Sequence, residues 1–280
     1  MATFELMAST DPDRRDASAA ARTAPQREAG IIEWPRIWWR IVYLGARVLA
    51  FALSVPSHTP AYRRSVLARL YAGTAPLLLW FTALSSVISL VIIRIVVVTA
   101  QSYGLSQYAL QMVVRVLVLE LIPLTAALFV ALRVTLPDGV EVAAARAQGK
   151  LDERTPEGVA GVMLEVTPRV LAGLFAALAL AAASGVVTLL LAYLTIYGFG
   201  GGGLEQYTRT VGQVFHPTVT LVFTLKTFFL SLAVALVPVG SALYDSPERR
   251  SRSSAEIRVL VRLFLVILLV EVTSLVGNYY

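Results

Sequence analysis

The sequence predicts an all-α integral membrane protein, an N-terminal interfacial helix followed by five transmembrane helices. Three observations predict it. The 280 residues are 57% hydrophobic and only 15% charged, whereas soluble domains run near 45–50% apolar and about 25% charged. Several apolar stretches reach the roughly 20 residues that a helix needs to cross a bilayer. The ~10-residue alternating segments of a membrane barrel are missing.

Composition also narrows the chemistry. The chain has no cysteine, which excludes disulfides and thiolate sites. Its two histidines, His58 and His216, stand in no cluster with metal-ligand spacing, so neither a metal nor another cofactor is expected. The formal net charge of +6 could point to nucleic acid, but the basic residues lie in loops beside apolar helices. That placement reads as membrane topology, with no nucleic-acid partner. The N-terminus lacks the layout of a cleaved signal.

The elements follow in order. Residues 1–33, rich in Ala, Arg, Asp and Pro, are expected to form a disordered cytoplasmic arm. A helix over about 35–54 carries Arg36, Arg40 and Arg47 within about 40° of one another, on an apolar body with Trp38 and Trp39. One basic stripe on such a helix suits the plane of the interface, and a true first span is the open alternative. Five stronger spans are expected at about 70–100, 108–133, 169–196, 215–243 and 258–277. Val134–Pro168 is the longest polar connection between them. The run "GFGGGG" from Gly198 to Gly203 reads as a flexible link, because a phosphate-binding loop would continue with Lys and Ser or Thr.

Orientation follows from Lys and Arg in the connections. Arg63, Arg64 and Arg69, then Arg146, Lys150 and Arg154, then Arg249, Arg250 and Arg252 crowd one side. The other side has "QSYGLSQY" with none, the glycine loop with Arg209, and the tail "GNYY" with none. An N-terminus inside and a C-terminus outside fits this pattern.

Three charges then fall deep inside the membrane. Glu120 is 13 residues from Arg133, and Glu271 is 13 residues from Arg258; each lies roughly 20 Å above the cytoplasmic boundary. Lys226 is 17 residues before Leu243, or roughly 25 Å from the same side. Two acids and a base from three helices share one level. Such groups face a bundle interior or a watery cavity. They mark either a substrate pathway or a structural ion pair, and both readings stay open. Arg94 and Arg115 sit nearer the outer face, where snorkelling to headgroups and gripping a lipid phosphate are the two options.

The same residues carry a family resemblance. "LELIPLTAALFVALR" resembles the "RELGPVLTALLVAGR" signature of the MlaE/YrbE permeases, the membrane subunits of MCE-type ABC lipid transporters. "VTPRVLAG" at Val166–Gly173 is similar to that family's entry to its third span. "LKTFFLSLAVALV" resembles its fourth span with Lys226 at the lysine, and "VEVTSLVGNYY" its closing helix with Glu271 at an acid. The resemblance covers about 35–280, one permease-like domain from 34 onward, and matches Glu120, Pro123, Arg133, Glu141, Pro168, Arg169, Lys226 and Glu271.

It implies a multi-pass protein of the bacterial inner membrane that moves phospholipid or another lipid to or from a periplasmic MCE-domain protein, a hexameric ring. It implies pairing with a second copy or a paralogue. ATP hydrolysis would belong to a separate ATP-binding cassette subunit, since no Walker motif is present, so the chain itself is no enzyme. The coupling loop to that ATPase would include Arg133, Glu141, Arg146 and Arg169. Departures stand at Leu119 and Ile122, where the family has arginine and glycine, and in the coupling segment "EVAAARAQGKLDERTPE". There Gly149 costs about 1 kcal/mol in a helix interior and Pro156 would end a helix. The loop "YDSPERRSRSSAEIR" also departs from the family's glycine-rich pattern. Two other classes stay open: a non-transporting scaffold for an MCE assembly, and an ion-coupled carrier using Glu120 or Glu271. No nucleophile–base or metal pair speaks for an intramembrane enzyme.

Overall fold

The computed structural model describes residues 35–54, 60–151, 156–245 and 252–279. The expected N-terminal arm, Arg154 and Arg249–Ser251 lie outside them. The described chain is helical throughout: α1 (35–52), α2 (Pro60–Ser102), α3 (Ala109–Val113), α4 (Ile122–Val130), α5 (Leu136–Ala147), α6 (Pro156–Tyr197), α7 (Leu204–Val214), α8 (Pro217–Tyr244) and α9 (Arg252–Tyr279). Two wide-turned π segments, Val114–Leu121 and Ala131–Thr135, join α3, α4 and α5 into one continuous helix. Five helical stretches are long and apolar enough to cross a membrane. In its most apolar window the α3–α5 stretch is 56% buried and α8 50%, against 22% for α2 and α9. The second and fourth spans are therefore central, and the first and fifth lie outside them.

Small side chains set the middle of the core. Ala126, Ala127 and Ala131 meet Ala176, Ala177 and Leu180 of α6 and Leu230, Val234 and Val237 of α8. In hydrocarbon, where apolar association has no water to drive it, close backbone approach supplies the packing. Lower down, α1 buries Ile41, Leu44 and Val48, spaced three and four residues apart, against Leu236, Val239 and Leu243 of α8. Contact is close enough that a Cβ on Gly240 would stand 2.9 Å from Ile41 Cγ1. Arg40 lies over the Tyr244 ring, 5.8 Å from its centroid.

Two stretches differ from the sequence expectation. Val134–Pro168 is no extended polar loop: α5 continues to Ala147 and α6 starts at Pro156. Asp138 in the first turn and Arg146 in the last complement the α5 dipole. Gly149, at φ +72°, stops the helix, with its N–H on Arg146 O at 2.9 Å and Lys150 N–H on Ala145 O at 3.1 Å. Pro156 begins a helix instead of ending one, because a first-turn residue needs no N–H partner. The glycine link, likewise, is short: Gly201–Gly203 form a 3₁₀ turn leading into α7. Helix α7 turns Tyr207, Val211 and Val214 onto the part of the core around Val113, Leu117 and Ala192, and the Tyr207 hydroxyl donates to Leu189 O at 3.0 Å.

The α1–α8 contact yields a size-swap test. Gly240→Val overpacks against Ile41 and is expected to cost about 1–3 kcal/mol, lowering the melting temperature of the purified protein. Adding Ile41→Ala should return part of that loss. An unchanged melting temperature in Gly240→Val would show that α1 does not pack here.

Candidate functional site: a buried lysine between two carboxylates

Proline shapes the helix that carries Glu120. Pro123 has no N–H, and its ring presses on the carbonyl four residues back, that of Leu119. The chain answers by widening: the N–H of Ile122 reaches Leu117 O, five residues back. The same device recurs ahead of Pro137, where Leu136 N–H reaches Ala131 O. Wide turns of this kind occur mostly as single-turn interruptions and frequently at functional sites. Glu120 lies inside the first.

Lys226 comes from the N-terminal half of α8 and Glu271 from the C-terminal half of α9. Lys226 Nζ donates to Glu120 Oε2 and lies 2.6 Å from Glu271 Oε2. The three residues that the sequence placed at one level thus meet as one ion cluster. The lysine side chain is only 1% exposed, while those of Glu120 and Glu271 are 23% and 19% exposed. Glu271 Oε1 is buried with no hydrogen-bond partner among the described residues. Removing Lys226 strands both carboxylates, the kind of change that typically costs about 3–5 kcal/mol, whereas removing either acid leaves a balanced pair.

The other predicted residues lie elsewhere. Arg94 is exposed on α2, and Arg115 is half-buried on the π segment with its Nε buried and without a hydrogen-bond partner. Neither joins the cluster.

At the far end of the bundle, Arg133 is exposed, and the exposed Glu141 pairs with the buried Arg169 in an ion network. Arg169 bonds Glu165, reaches Glu141 Oε2 at 3.3 Å and lies 3.8 Å from Asp138 Oδ1. Arg69 approaches the same two acids at 3.3 and 3.6 Å. Arg146 caps α8, donating to Asp245 O at 2.7 Å. The Asp245 carboxylate in turn accepts from Arg262 of α9 at 2.9 and 3.0 Å, and Arg262 also reaches Ser241 Oγ at 3.2 Å.

Sequence reasoning missed Asp138, Arg69, Asp245 and Arg262. The available signal was Arg262 itself, one helical turn beyond Arg258 inside an apolar run, with an acid at the end of "SALYD" to meet it.

No curated protein matches the chain. The family model described as Permease MlaE matches residues 66–276, which take in Glu120, Lys226 and Glu271 and begin after α1. The chain belongs to the MlaE permease family and is an integral membrane permease of the lipid-transport kind, a transporter subunit rather than a catalytic enzyme.

Proposed function

We propose that the chain is the membrane permease subunit of an ABC-type transporter that moves phospholipid or another lipid between the inner membrane and a periplasmic MCE-domain protein. The observation that carries this reading is the Glu120–Lys226–Glu271 cluster inside an apolar bundle. A purely structural ion pair needs one acid, and here a second acid is kept at the same lysine. Partly exposed carboxylates on a buried base are a polar station that a headgroup can use while its acyl chains stay among apolar helices. Arg94 and Arg115 stand nearer the outer face as further headgroup contacts.

ATP hydrolysis then belongs to a separate cytoplasmic subunit, and a second permease copy or paralogue completes the membrane unit. Helix α5 is the proposed docking element for the ATPase. Its position is fixed by Glu141, which accepts from Arg169 of α6, and by Arg146, which donates to Asp245 O at the end of α8. The outward side of α5 carries Ala143, Ala144 and Ala147, which suits a shallow apolar contact. In this arrangement α1 lies in the cytoplasmic interface, with Trp39 and Tyr43 exposed to it.

Two experiments test the reading. Ala144→Arg changes only the outward side of α5, so the permease should purify with unchanged melting temperature while a co-expressed ATP-binding cassette subunit no longer co-purifies. Arg146→Ala, by contrast, should lower the melting temperature as well. Retention of the ATPase by Ala144→Arg, and by arginine at each neighbouring exposed position, would favour the scaffold reading instead. For orientation, cysteines at Ser106 and Gly202 should react with an impermeant thiol reagent from outside sealed cells, and one at Gln148 should not. Labelling at Gln148 would invert the topology and remove the ATPase from α5.

A further inference from the structure

We infer that the open edge of the cluster receives the ammonium group of an aminophospholipid, with Arg115 placed to meet the phosphate of the same headgroup. This rests on the lipid-permease reading above and specifies its substrate class. The first ground is charge. One ammonium faces two carboxylates, so the cluster is formally −1 when all three are ionised. The second is accessibility. The lysine is 1% exposed and the acids 23% and 19%, so an arriving group meets carboxylate and not ammonium. A lipid whose headgroup is only anionic would be repelled at that edge; one that carries a cation is attracted.

The third ground is a hydrogen-bond deficit. Glu271 Oε1 is buried and has no donor among the described residues, a state that costs about 1–3 kcal/mol and more for a charged group. A primary ammonium brings three donors. A quaternary one brings none, which selects ethanolamine-type over choline-type headgroups.

The fourth ground is the wide turn. Positions five apart on an ordinary α-helix lie about 140° from one another. The segment Val114–Leu121 closes its turns at five residues instead of four, and this brings positions 115 and 120 toward one face. Arg115 has a buried Nε with no partner, and guanidinium is the side chain best matched to phosphate. One helix face thus offers an anion to the ammonium and, a turn further out, a cation to the phosphate.

The test uses the full chain, incubated with vesicles of equal phosphatidylethanolamine and phosphatidylglycerol with identical acyl chains, then released for native mass spectrometry. Wild-type protein should retain the ethanolamine lipid about tenfold over the glycerol lipid, the size expected of one charge-assisted hydrogen bond. Glu271→Gln leaves the Glu120–Lys226 pair intact and should bring the ratio close to one. Arg115→Gln should lower retention of both lipids together, because both carry the phosphate. Repeating the incubation at tenfold higher sodium should leave the preference in place; its loss there would mean that an inorganic cation occupies the edge, and the inference would fail.

It fails equally if wild type holds the two lipids alike or prefers the glycerol lipid, or if Glu271→Gln keeps the wild-type ratio. Should Glu271→Gln not fold, Glu271→Asp draws the carboxylate back and must lower the ratio for the inference to stand. Retention of neither lipid by wild type would count against the permease reading itself.

Discussion

Everything in the upper bundle depends on hiding one ammonium group from hydrocarbon. Lys226 is all but fully enclosed, and an isolated buried ion costs several kcal/mol. Its partners therefore cannot be optional. Glu120 arrives on the second span and Glu271 on the fifth, so the requirement to neutralise Lys226 ties three separately inserted helices at one depth. Apolar packing between lipid-like surfaces offers little directional preference, whereas an ion cluster of this kind has a single register.

The same three helices are joined again at their other ends. Arg146 at the close of α5 caps α8, and Asp245 just beyond α8 holds Arg262 of α9. Between the two junctions, the helix that bears Glu120 runs without a break into α5 through two wide turns, each placed ahead of a proline. A displacement of α5 has a continuous helical route to Glu120 and a second one through α8 to Lys226. In the transporter reading, these are the paths by which events at an ATPase reach the lipid station.

Much of this was legible in the sequence, for physical reasons that differ by element. Hydropathy marks the five spans because hydrocarbon allows few alternatives to a run of apolar residues. Counting residues from Arg133, Arg258 and Leu243 placed Glu120, Glu271 and Lys226 at one level because helix rise is nearly constant, and the structure brings the three together. Counting failed at the opposite end of the bundle. There polar residues such as Asp138, Glu141 and Arg169 read as a loop, although they pair with one another on helices. Charge in a membrane protein says where water begins, and it does not say where a helix ends. The wide turn at Glu120 also escaped notice. Its signal is Pro123, which tells that a carbonyl must be accommodated but not how. Helix α7 is short and follows a glycine run, so its pattern of Tyr207, Val211 and Val214 was hidden beside that stronger signal.

The central claim is that Glu120 and Lys226 are held in the membrane as a pair, and a double-substitution cycle on thermal stability measures it most directly. Lys226→Met strands two carboxylates, and Glu120→Gln takes away the acceptor of the Lys226 ammonium; each should lower the melting temperature of the purified protein. The combined variant should be more stable than the sum of the two losses, by a coupling of about 0.5–3 kcal/mol. Losses that add, leaving no coupling, would contradict the account, since the two residues would then share a depth without sharing a bond.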